Sequence, residues 1–173
     1  MSIKFYEVQE DYTDFLRSAE SRIPTINYIN NNKFLCGVVF SIEKFNYYAP
    51  ISSFNQKQFT NMPIYHNGKI ISTVRFSYMF PCPENVLTEK DFLLEPDIKY
   101  RDLLLNELAY CNSHYDDIKK KAAYIYKRYL TGKDTVLLNH CCNFPVLEEK
   151  MQEYIIEMKL DEADKVAEQS ELL

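Results

Sequence analysis

Residues 33–57 read KFLCGVVFSIEKFNYYAPISSFNQK. Phe34, Cys36, Val38, Phe40 and Ile42 alternate with Leu35, Gly37, Val39 and Ser41, and nearly all are apolar. A run without a polar side predicts a strand covered on both faces, and therefore a central one. Glu43 to Asn46 make a polar turn. Tyr47 to Ile51 form a second short run that Pro50 is expected to end or to place at a sheet edge. Ser52 and Ser53 then stand where a rigid sheet gives way to loop, a common position for ligand-contacting side chains.

Working outward, Ile3 to Val8 reads as a strand. Asp11 is a candidate cap for a helix whose Tyr12, Phe15, Leu16 and Ala19 share one face. Ser21 to Asn32, with Pro24 and four asparagines, reads as a loop. Met62–His66 and Lys69–Met79 flank Asn67-Gly68, a strong hairpin signal, with Arg75 facing away from Val74 and Phe76. Residues 80–97 hold three prolines and read as an irregular connection. Two amphipathic helices follow, around Tyr100–Cys111 and Tyr115–Tyr129, with a stop near Gly132 and a last helix over Leu147–Met158. The expected class is α+β: a twisted antiparallel sheet of about six strands from the first half, packed with helices from the second.

The chain has 173 residues and is 46% hydrophobic, enough for one compact domain, taken as residues 1–160, with 161–173 as an acidic tail that frays. No apolar run reaches membrane-spanning length, and MSIKFYEVQEDY lacks the basic-then-apolar pattern of a signal peptide. The expected compartment is the cytoplasm, with no membrane partner. Cys36, Cys82, Cys111, Cys141 and Cys142 show no paired spacing, so they read as reduced and mostly buried. The net charge of −5 conceals an asymmetry. Residues 148–173 carry nine acids against Lys150, Lys159 and Lys165, a net −6, which leaves residues 1–147 at +1. The body is therefore free to carry a basic surface. Three glycines provide no phosphate-binding loop.

Of the usual catalytic sets, His66, His114 and His140 are isolated, His140-Cys141-Cys142 has no partner pattern, and Ser52 and Ser53 lack a nucleophile elbow. No metal or cofactor is called for. What clusters is Tyr28, Lys33, Tyr48, Ser52, Ser53 and Lys57, a set of hydroxyls and ammonium groups. That set suits RNA, which brings its own nucleophile, the 2′-hydroxyl; a protein need only align it with the adjacent phosphate and stabilise the developing charge. Lys120, Lys121, Tyr124, Lys127 and Arg128 form a basic, aromatic helix stripe that fits phosphate tracking, or an ordinary solvated face. The alternatives are a non-catalytic module that binds structured RNA and a protein-interaction domain with the acidic tail as its contact.

Several segments together resemble the ToxN/AbiQ family, the toxins of type III toxin-antitoxin systems. They are KFYEVQEDYTDFL at 4–16, Ile23-Pro24, Tyr28, Lys33, GVVFSI at 37–42, YYAPISS at 47–53, SYMFPCP at 77–83 and CCNFPVLEEK at 141–150. The resemblance implies a twisted antiparallel sheet in a Kid/MazF-like outline. It further implies a metal-independent endoribonuclease that cuts A-rich RNA through 2′-hydroxyl attack, leaving a 2′,3′-cyclic phosphate and a 5′-hydroxyl. The partners it implies are cellular or phage RNA as substrate and an antitoxin RNA pseudoknot, cut from a repeat transcript by the toxin and bound in a closed toxin-RNA assembly. Abortive infection against phage would follow from toxin release. Ser53 matches the family's essential serine, and Ser52 stands where threonine is frequent. Tyr28 and Lys33 match groove residues, and Tyr48 matches a tyrosine in the strand before the serines. Many relatives carry a lysine where this chain has Asn55, so Lys57 is the nearest substitute for that charge. Ser53 and Ser52 are then expected to position the phosphate and the 2′-hydroxyl, Lys33 and Lys57 to neutralise the transition state, and Tyr28 to contact substrate. Arg75 and the helix stripe are expected on phosphates away from the cut.

Overall fold

The computed structural model describes residues 2–25, 27–28, 31–32 and 34–171, the side chains of 27–32 and 160–171 excepted. The first half supplies β1 (Phe5–Val8), α1 (Glu10–Arg17), β2 (Asn27–Tyr28), β3 (Asn31–Asn32), β4 (Leu35–Ile42), β5 (Phe45–Ser52), β6 (Asn61–His66), β7 (Lys69–Arg75), β8 (Phe80–Pro81) and β9 (Leu87–Glu89). The second half supplies α2 (Ile98–Ser113), α3 (Tyr115–Leu130), α4 (Thr135–His140) and α5 (Phe144–Glu171). All pairings are antiparallel, in the order β6-β7-β5-β4-β1-β9, with β8 also on β5 and β2-β3 as a separate hairpin. The α+β expectation holds, with seven strands in the main sheet.

β4 is central, as its unbroken apolar run predicts. Leu35, Cys36, Val39 and Phe40 are all buried. Its register to β5 skips Gly37 and Val39, two bulges that bend and twist the pair. At Gly37 a Cβ would lie 2.9 Å from the backbone oxygen of Lys4, so only glycine lets β1 approach here. α3 covers β4 through Tyr126, whose ring sits 4.9 Å from that of Phe40. α1 packs on α5 through Tyr12 and Tyr154 at 4.9 Å, and the Tyr12 hydroxyl donates to the Pro81 carbonyl at 2.6 Å.

Several expectations are corrected. Pro50 neither ends β5 nor lies at an edge; the strand runs on to Ser52. The Ile51 N–H donates to Phe34 on the β4 side, so the Pro50 nitrogen faces the other side. There the partner of β5 changes from β8 to β7, and the missing donor costs no ladder bond. β7 stops at Arg75 because Phe76–Tyr78 turn as a 3₁₀ helix. Asn67 and Gly68 both take positive φ, 49° and 73°, as the predicted tight hairpin requires. α1 begins after Gln9, with Asp11 in its first turn rather than at the cap. The Asn-rich loop contains β2-β3, and the supposed irregular connection contains β8 and β9. α5 runs past Leu160 to Glu171. All five cysteines are free and buried, as expected.

Glu107 of α2 is 4% exposed, and burial raises its carboxyl from 4.5 to about 7, with Ser72 of β7 offsetting part of the shift. A raised acid favours folding while protonated, so its stabilising share is complete below pH 4.5 and is lost as pH rises through about 7. Glu107→Gln is therefore expected to match the wild type near pH 5 and to exceed it by about 2–3 kcal/mol at pH 8. Urea titrations at both pH values check this; an equal effect at the two would contradict it.

Candidate nucleic-acid interface

Ser52 ends β5, and its Oγ accepts from the Phe54 N–H at 3.2 Å, which turns the chain into the 53–60 loop. Ser53 follows at the exposed mouth of that turn. Asn61, fully buried, holds the loop from below: its Oδ1 accepts from Gln58 N at 3.0 Å and its Nδ2 donates to Gln56 O at 2.9 Å. Lys121 of α3 donates to the Asn61 carbonyl at 2.6 Å. Burial, then the nearby charge of Lys57, pushes the Lys121 ammonium below its ordinary value. Lys57 itself is exposed on the loop. The structure thus brings Ser52, Ser53, Lys57 and Lys121 to one end of the sheet.

Beside Ser52 opens a cleft of about 390 Å³, walled by residues 21–25 on one side and by Pro50, Ser52, Arg75 and Tyr78 on the other. Two arginines secure the 21–25 wall. Arg17 donates to the carbonyls of Ile23 and Pro24 at 3.2 and 3.1 Å, and Arg22 donates to Cys141 O at 2.6 Å. The buried carboxylate of Glu20 accepts from the N–H groups of Arg22 and Asn143 at 2.9 and 2.8 Å. Cys142 N–H in turn donates to Ser77 O at 2.8 Å, inside the turn that carries Tyr78. The CCN segment therefore ties both walls together.

The remaining sequence candidates divide. Lys33 lies outside the described residues, and Tyr28 is described only as backbone of β2. Tyr48 is corrected: at 3% exposed, packed edge-on to Tyr6 at 5.7 Å, it is a core residue and cannot meet RNA. The helix stripe does not act as one surface. Lys121 turns inward, while Arg128 is held by Asp134 at 2.6 Å and by the Tyr124 hydroxyl at 2.5 Å. Lys120 shares a shallow depression with Asp116 and Asp117, and Lys127 is exposed. The sequence reading missed Arg22, Phe54, Phe59 and Tyr78. Phe59, 51% exposed, meets Tyr124, 47% exposed, edge-on at 6.1 Å with Arg128 over both rings. An aromatic within the polar run FNQKQFT was its available signal.

The described helices include none long and apolar enough to cross a membrane. Comparison with known proteins covers most of the chain. The chain is 30% identical over 94% of its length to endoribonuclease ToxN of Bacillus thuringiensis subsp. kurstaki, covering 89% of that protein. It is 27% identical to endoribonuclease AbiQ of Lactococcus lactis subsp. lactis, covering 89% of this chain and 90% of the other. Among solved structures, it superposes with TM-score 0.81 and 28% identity on a bacterial type III toxin selectively inhibited by a non-coding RNA pseudoknot, covering 89% of this chain and 98% of that one. AbiQ, a lactococcal anti-phage endoribonuclease, superposes with TM-score 0.79 at 25% identity, again covering 89% and 98%. The family model described as toxin ToxN, type III toxin-antitoxin system, matches residues 4–152, and the chain belongs to that family.

Proposed function

We propose that this chain is an endoribonuclease toxin that cuts A-rich RNA without a metal and is restrained by an RNA pseudoknot from its own repeat transcript. The observation that carries the reading is the serine pair at the end of β5, set beside a cleft lined by guanidinium groups, in a chain whose relatives are named endoribonucleases. The 2′-hydroxyl gives up its proton to water as its oxygen bonds to the adjacent phosphorus, the bond to the 5′-oxygen breaks, and that oxygen takes up a proton from water. The products are a 2′,3′-cyclic phosphate and a 5′-hydroxyl, with no bond to the protein at any stage. Ser53 and Ser52 hold the phosphate and the 2′-hydroxyl in line. Lys33 and Lys57 neutralise charge on the pentacovalent phosphorus, and Tyr28 contacts the strand. Lys120, Lys127 and the Tyr124–Arg128 cluster contact RNA beyond the cut, with Lys121 holding the loop. The pseudoknot occupies the same groove in a closed toxin-RNA assembly in the cytoplasm, and release of the toxin during phage infection arrests the cell.

The purified chain incubated with A-rich RNA in EDTA is expected to cut it, and added repeat RNA is expected to suppress the cutting. RNA that is bound yet left intact would favour a non-catalytic RNA-binding module instead.

A further inference from the structure

The register Ile51↔Val74 and Ser52↔Thr73 puts Val74 and Ile51 on the core side of the sheet. Thr73, Ser52 and, one step along, Arg75 and Pro50 therefore share the opposite face. Diagonal neighbours on one face of an antiparallel pair lie within reach of a long side chain. Arg75 is thus a neighbour of Ser52 and not a remote contact, and both line the same cleft.

Its guanidinium carbon lies over two rings, Phe54 at 4.7 Å and Tyr78 at 5.0 Å. Stacking on aromatic faces fixes the plane of the fork and leaves its in-plane N–H groups to bond elsewhere. Arg17, Arg22 and Arg128 each donate to oxygens of the fold, whereas the Arg75 side chain has no hydrogen bond or carboxylate partner among the described residues, and its Nε is buried without an acceptor there. The hydroxyl of Thr73 on the same face is likewise buried and unpartnered. A buried donor without a partner is costly, so a guanidinium held in a cleft in this way is suited to an anionic ligand.

We propose that this cleft seats the scissile phosphodiester of RNA and that Arg75 is a catalytic residue, its fork binding the non-bridging oxygens. This rests on the ribonuclease reading above. Negative charge grows on those oxygens as the 2′-oxygen bonds to phosphorus and the bond to the 5′-oxygen breaks. A guanidinium fork offers those oxygens fixed charge and paired hydrogen bonds rather than a proton. Phe54 and Tyr78 act as positioning residues by holding its plane.

The test is single-turnover cleavage of A-rich RNA at saturating protein, alongside binding of a 2′-O-methyl version that cannot be cut. Arg75→Ala is expected to slow the saturated step by about 10²–10³-fold, the effect of removing one transition-state donor. Its affinity for the 2′-O-methyl RNA is expected to fall by less than about tenfold, because a ground-state contact of one charge contributes less. Arg75→Lys keeps the charge but not the fork, and is expected to fall between the two. It also serves as the folded variant if Arg75→Ala fails to melt cooperatively. A saturated rate unchanged in both variants while the wild type cuts would overturn the assignment and leave the ribonuclease reading standing. So would a loss confined to affinity, which would place Arg75 on a neighbouring phosphate. A wild-type chain that cuts no RNA would overturn both.

Discussion

Ser53→Ala is expected to lower cleavage of A-rich RNA by at least about 10²-fold, the usual loss for a group aligned with the reacting phosphate. Its melting temperature should stay where it was. Ser53 is exposed, and no described residue hydrogen-bonds its hydroxyl, so the fold loses no internal bond when that oxygen goes. Surface substitutions of this kind usually stay within about 0.5 kcal/mol. Ser52→Ala is the contrasting case, since its Oγ also accepts from the Phe54 N–H and shapes the turn. Measuring cutting rate and melting together separates the roles. Full activity in Ser53→Ala would remove that hydroxyl from the mechanism.

Phe144→Ala is expected to have the largest effect on stability. The ring is fully buried at the start of α5, 4.8 Å from the Tyr129 ring, 5.6 Å from Tyr126 and 5.8 Å from Tyr47. Truncating a phenylalanine in such a position costs about 3–5 kcal/mol, a large part of a domain's total stability. The loss should lower the melting temperature by roughly 10 °C or more. Beside Phe144, Glu148 Oε1 accepts from the Tyr47 and Tyr126 hydroxyls, each at 2.7 Å. Burial first, and the Glu148 hydrogen bond second, keeps both phenols protonated as donors. Calorimetry of the variant checks the figure; a shift of only a few degrees would mean that the tyrosine cluster closes over the gap.

These two predictions show where the legible part of the sequence lies. YYAPISS and CCNFPVLEEK, which carry the family resemblance, are mostly scaffold: Tyr47, Tyr48, Ala49, Phe144 and Leu147 are buried, while Pro50 and the serines reach the site. Periodicity exposed β4 and the Asn67-Gly68 hairpin because each is determined by neighbours in sequence. The turn at Phe76–Tyr78 is hidden because the alternation in sequence continues through it, and a long-range bond from Cys142 to Ser77 holds it. β9 was hidden for a similar reason, as three residues of edge strand exist only by pairing with β1. Lys121 and Arg128 read as exposed charge from helix spacing, yet the Asn61 carbonyl and Asp134 claim them, contacts that spacing within one helix does not encode. Arg22 and Tyr78 joined the candidate site only once the fold had brought residues 21–25 against β7.

In the proposed reaction the RNA supplies the attacking oxygen, and the protein aligns and polarises the phosphate. The chemistry of the fragment ends tests this most directly. Mass spectrometry of a short A-rich RNA cut by the purified chain should find 2′,3′-cyclic phosphate on one fragment and a free 5′-hydroxyl on the other, with no cut where the 2′-hydroxyl is methylated. Fragments ending in a 3′-hydroxyl and a 5′-phosphate would mean that water is the nucleophile, and would contradict it.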